Sequence, residues 1–126
     1  MNNPFQALFQ DLFSLQVTFD EYQTKDEFVF IGDVGGVKKE DLSIDLENNT
    51  IVIKGSRACN PNVEPLMSER WCGSFQRAFR IPSLYVDQDK VSAVLKDGVL
   101  EVRLPKLPKD HHSLKNTSIV IKDNHH

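Results

Sequence analysis

A chain of 126 residues with a formal charge of −3 is one ordinary domain. Leu, Ile, Val and Phe supply 39 of those residues, enough for a core, yet the longest apolar run, Phe28 to Ile31, is four residues, far short of a membrane span. A mildly acidic chain without a basic block is a poor partner for nucleic acid or an anionic membrane surface, and with all four histidines at 111, 112, 125 and 126 the folded part must work without one, which argues against most acid–base enzymes.

The first stretch has helical spacing. Phe5, Leu8, Phe9, Leu12 and Phe13 fall on one helix face, with Asn3 placed to cap it and Pro4 at the first helical position. Such a helix, about three turns long, is too short to stand alone in water. The N-terminus lacks the basic start and apolar core of a signal peptide, so a cytoplasmic chain is expected.

From Val17 the period changes to two. Val17, Phe19 and Glu21 alternate with Thr18, Asp20 and Tyr22, and Phe28 to Ile31 is a β-rich run closed by Gly32. After the break at Gly35-Gly36, Leu42, Ile44 and Leu46 alternate with polar residues. Asn48-Asn49-Thr50 then turns the chain into Ile51 to Lys54, a hairpin pattern. Residues 56 to 66, with Pro61 and Pro65, form a loop. Phe75 to Ile81 is a strand closed by Pro82; Val91, Ala93 and Leu95 mark another; Asp97-Gly98 turns tightly; and Leu100, Val102 and Leu104 share one face up to Pro105, which ends the ladder. A polar linker follows, and then the isolated triplet Ile119-Val120-Ile121. Short strands with turns every 8–12 residues predict an all-β, immunoglobulin-like antiparallel sandwich, with a short helical arm over 1–16, the domain over 17–106 and an extended tail over 107–126.

Chemistry-bearing constellations are few. Cys59 and Cys72 stand 13 apart with no partner at zinc spacing and read as two free cytosolic thiols, a disulfide between subunits being the other possibility. Lys54-Gly55-Ser56 reverses the order a phosphate loop needs. The two histidine pairs lack a carboxylate frame and read as solvated tail, so neither metal nor cofactor is expected. The Asn48 and Asn116 glycosylation patterns have no secretion signal behind them. The folded region offers no base–nucleophile pair, and no enzyme is expected.

Four segments in order resemble the small heat-shock proteins with their α-crystallin domain: Gly36-Val37-Lys38-Lys39-Glu40-Asp41-Leu42; Glu69-Arg70-Trp71-Cys72-Gly73-Ser74-Phe75 running on through Arg77 and Phe79 to Pro82; Ala93 with Asp97-Gly98-Val99-Leu100 up to Pro105-Lys106; and Ile119-Val120-Ile121. The likeness covers roughly residues 17 to 121. The sequence departs from the family at Val34-Gly35-Gly36, where a proline is replaced, and at Gly55-Ser56-Arg57, and the N-terminal arm is short.

The resemblance implies an ATP-independent chaperone of the stress response that holds partly unfolded proteins in solution and works as an oligomer of dimers. Phe5, Leu8, Phe9, Leu12 and Phe13 would bind clients, or pack inside the oligomer. Ile119, Val120 and Ile121 would dock in a neighbour's groove between Leu42, Ile44, Leu46 and Val91, Ala93, Leu95; alternatively they form a last strand of their own sandwich. Leu66, Met67, Glu69, Arg70 and Trp71 would lie on a partner's sheet, with Arg77 half-buried and paired to an acid such as Glu69. The rival readings are a co-chaperone sandwich that binds a folded chaperone, and a ligand-binding β-sandwich whose exposed aromatics would be Trp71, Tyr22 and Tyr85.

Overall fold

The computed structural model describes residues 16–60, 62–108 and 117–123. The expected helical arm and the histidine pairs lie outside them. The described chain forms nine strands: β1 Phe19–Gln23, β2 Glu27–Asp33, β3 Leu42–Glu47, β4 Thr50–Arg57, β5 Gly73–Arg80, β6 Ser92–Lys96, β7 Val99–Pro105, β8 Thr117–Ile119 and β9 Ile121–Asp123. They make two sheets, one ordered β1-β2-β7-β6-β9 and the other β5-β4-β3-β8. All pairings are antiparallel except β6 with β9. The predicted all-β sandwich is the fold observed.

The alternation read from sequence decides which side chains enter the core. Leu42, Ile44 and Leu46 of β3, Ile51 and Ile53 of β4, and Leu100, Val102 and Leu104 of β7 are all buried, and each set recurs every second residue, as a pleated strand with one wet face requires. Phe28 and Phe30 of β2 join them, together with Phe75 of β5 and Ala93 of β6.

Two hairpins fix the register. Asn48 and Asn49 have φ of 51° and 60°, and Asp97 and Gly98 have 52° and 78°. These are paired left-handed residues of the kind that match strand twist in two-residue turns, where Asn, Asp and Gly are the least strained. Gly98 carries a second constraint: a Cβ there would sit 3.1 Å from the Gly35 backbone, whose turn is tied in by the hydrogen bond from Val34 N–H to the Gly98 carbonyl at 2.8 Å.

The sandwich has two open sides, and each is closed differently. On one side Phe19 of β1 meets Phe79 of β5 edge to face, ring centroids 5.5 Å apart, and Phe79 also contacts Phe30 at 5.0 Å. On the other side the tail strands β8 and β9 lie along β3 and β6.

Candidate functional site

The tail groove is built from the edges of β3 and β6. Ile119 pairs with Ile44 and Ser118 with Asp45 across β8–β3, while Ile121 pairs with Ala93 and Lys122 with Val94 across β9–β6. Between the two short strands the chain passes at Val120 from one sheet to the other. Two residues apart on an extended segment, Ile119 and Ile121 face the same way. Ile121 is buried, Ile119 packs partly against the core, and Val120 between them is 74% exposed. Leu42, Ile44, Leu46 and Ala93 are buried beneath, with Val91 and Leu95 partly buried beside them. Ser118 Oγ donates to Asp45 Oδ1 at 2.7 Å and adds a polar latch at the rim. The groove residues named from sequence are thus brought together around the Ile-Val-Ile segment. In the single chain the tail lies in its own chain's groove, the alternative reading given for it above.

The second constellation is the loop between β4 and β5. Two free thiols were expected; instead Cys59 and Cys72 form a disulfide, with Cα atoms 5.1 Å apart. The cause is register. Arg57 pairs with Gly73 in the last rung of β4–β5, so residues just beyond that rung come within disulfide reach. Sequence reasoning missed this, although pairing Ile51–Lys54 with Phe75–Ile81 as neighbouring strands would have brought the two cysteines together.

Arg57 was also missed, since nothing in a lone arginine announces a clamp. Its Nε and Nη2 donate to the Trp71 carbonyl at 2.9 and 2.5 Å, and its Nη1 donates to the Gly35 carbonyl at 2.8 Å. The guanidinium carbon lies 3.9 Å from the Trp71 ring centroid, and that ring meets Phe75 edge on at 5.9 Å. Desolvation first, and the nearby positive Arg70 second, lower the Arg57 pKa from its ordinary value, yet an arginine remains charged throughout the physiological range. Trp71 is therefore half-buried at the loop base, whereas Leu66 and Met67 stand fully out at 107% and 76% exposure, with Glu69 and Arg70 exposed beside them. Residues 66–71 form no strand of their own in the single chain.

Arg77 is half-buried, but its partner is not an acid. Its Nη1 donates to the Val17 carbonyl at 2.8 Å, and its guanidinium lies 5.1 Å from the Phe79 ring and 5.9 Å from that of Phe19. The segment entering β1 crosses Arg77 with its carbonyl inward, so a neutral acceptor and two aromatic faces serve where Glu69 was expected. Among the described residues no group of three or more His, Cys, Asp or Glu could hold a metal ion, and no helix is long and apolar enough to cross a membrane.

With this geometry in place, residues 20–122 match the model of the Hsp20/alpha crystallin family. The chain belongs to that family. It is 36% identical over 113 residues to a 17.7 kDa class II heat shock protein of Arabidopsis thaliana, covering 85% of this chain and 72% of that one. Among solved structures it is similar to heat shock protein 16.0 of Schizosaccharomyces pombe, with a TM-score of 0.63 and 29% identity over 79% of this chain and 94% of the other. It is similar too to a small heat-shock protein of Xylella fastidiosa, with a TM-score of 0.67 and 25% identity over 79% and 93%. A chaperone role follows from membership of the Hsp20/alpha crystallin family.

Proposed function

We propose that this family member is a holdase: it binds partly unfolded proteins without nucleotide, competes with their aggregation by mass action and catalyses no reaction. It works in the cytoplasm as an oligomer assembled from dimers. The observation that carries the reading is the groove between β3 and β6, which takes an extended apolar segment through main-chain pairing on both walls, with Ile121 buried and Ile119 partly buried in it. One buried Ile side chain, Ile121, and a partly buried one, Ile119, contribute roughly 2–4 kcal/mol gross, much of it offset by ordering and association. One such contact between subunits is therefore reversible, while many together hold an assembly. The Xylella fastidiosa relative is described as having a distinct high order structure, which is in keeping with this. In the proposed assembly the Phe5, Leu8, Phe9, Leu12 and Phe13 face contacts clients. Residues 66–71 lie on the open β1 edge of a second copy, and Arg77 beside β1 steadies the strand that receives them.

The test is light scattering from a heat-denaturing client with nucleotide absent. Suppression at equimolar to several-fold excess is expected, and a full scattering rise at several-fold excess overturns the holdase reading. Native mass spectrometry of the same preparation reads the subunit number, and a monomer throughout would refute the oligomer.

A further inference from the structure

We propose that the Cys59–Cys72 disulfide is a reversible thiol switch that sets how tightly two copies of this chain hold each other. The inference rests on the dimer reading above and adds its regulation. Three observations converge on the loop base. The disulfide sits immediately beyond the last β4–β5 rung, Arg57 with Gly73. Gly73 has φ of 110°, a backbone region that only glycine occupies without strain, so the chain pivots there as it enters β5. Beyond this base the loop is loosely packed: Arg57, Trp71, Val63, Pro65 and Met67 line a hollow of about 410 Å³, and Val63, Leu66 and Met67 are exposed.

Such an arm loses conformational freedom when it docks on a second copy. A covalent closure at its base removes part of that freedom beforehand, and preorganisation of this kind raises affinity. With the disulfide open, the base keeps its β4–β5 rung, the Trp71–Phe75 ring contact and the hydrogen bonds and stacking of Arg57, but the residues between the cysteines have more freedom to give up. The oxidised chain is thus the stronger dimer former.

The chemistry is accessible in both directions. Cys59 is exposed and Cys72 only half-buried, so a thiolate can reach a sulfur of the pair. A dithiol reductant supplies two electrons and two protons: its first sulfur attacks one Sγ to give a mixed disulfide, and its second closes on the first to leave as a cyclic disulfide. Both protein sulfurs then remain as thiols. In a reducing compartment disulfides of this kind are transient and sensing rather than structural.

The full chain is diluted in a sedimentation series, oxidised and then reduced with dithiothreitol, beside a Cys59→Ser/Cys72→Ser variant. The expected result is a dimer dissociation constant roughly tenfold weaker after reduction, with the variant matching the reduced protein whether or not dithiothreitol is present. Equal constants in the two states, a tighter dimer on reduction, or a variant that still responds to dithiothreitol overturns the switch. A dimer seen on a non-reducing gel overturns it too, because the bridge then joins two chains. A monomer in both states removes the dimer reading along with the switch, whereas a dimer of equal strength in both removes the switch alone.

Discussion

At the residue scale two arginines organise what the strands leave open. Arg57 spans the Gly35 turn and the Trp71 carbonyl while stacking on the indole, a combination that needs a flat fork of donors. Arg57→Ala leaves two carbonyls without their donor and the Trp71 face bare. We expect a loss of about 2 kcal/mol in unfolding free energy, measured as a lower denaturant midpoint. Arg57→Lys keeps the charge but cannot reach both carbonyls and should recover only part of that loss. By contrast Arg103, which bonds Glu27 and, at 2.5 Å, Glu101, is 47% exposed, and such pairs contribute little. Arg77 marks the limit of reading residues one at a time. Its half-burial on a strand between Phe75 and Phe79 was legible, but its acceptor was not, because a main-chain carbonyl such as that of Val17 carries no sequence signature.

At the element scale the strands were legible and their edges were not. Alternation located β3, β6 and β7, the apolar run Phe28 to Ile31 located β2, whose Phe28, Val29 and Phe30 are all buried, and the hairpin turn placed β4. Asn48-Asn49 and Asp97-Gly98 declared their turns through the left-handed backbone they tolerate. The tail was legible as an apolar triplet but not as two strands pairing in opposite senses, antiparallel to β3 and parallel to β6. That division arises only because the edges of β3 and β6 face the same opening. Ile121 is the deeper of the two isoleucines, at 5% exposure. Ile121→Ala should therefore cost about 2–4 kcal/mol of tail docking, seen as faster amide exchange along β6. Adding Ile119→Ala should shrink the assembly toward dimers, with a later elution volume in size-exclusion chromatography; an unchanged volume would refute the tail's part in assembly.

At the scale of the whole molecule, the disulfide is the feature furthest from local reading. Two cysteines 13 apart say nothing by themselves. Their proximity comes from the pairing of β4 with β5, a long-range consequence of the Arg57 and Gly73 register. Closing a loop of that length restricts the unfolded chain, and on the chain-entropy account this stabilises by about 3 kcal/mol. Reduction should accordingly lower Tm by several degrees for a chain of this size, and a Tm unchanged by dithiothreitol would mean that the loop base needs no covalent closure beyond its non-covalent contacts. This effect on folding is separable from the effect on dimers, because it is independent of protein concentration.

The tail lying in its own groove also makes the protein a competitor of itself. Any other extended apolar segment, whether a neighbour's tail or a stretch of unfolded chain, gains the β3 and β6 edges only in the fraction of molecules whose tail has left. The apparent affinity of the groove for an incoming segment is thus its intrinsic affinity reduced by that vacant fraction. A segment already tethered close by needs less intrinsic strength to win than one arriving from bulk solution. If the groove serves as proposed, the Ile119 and Ile121 contacts that seal the sandwich would also set the threshold of exposed apolar chain at which the seal is exchanged for something else.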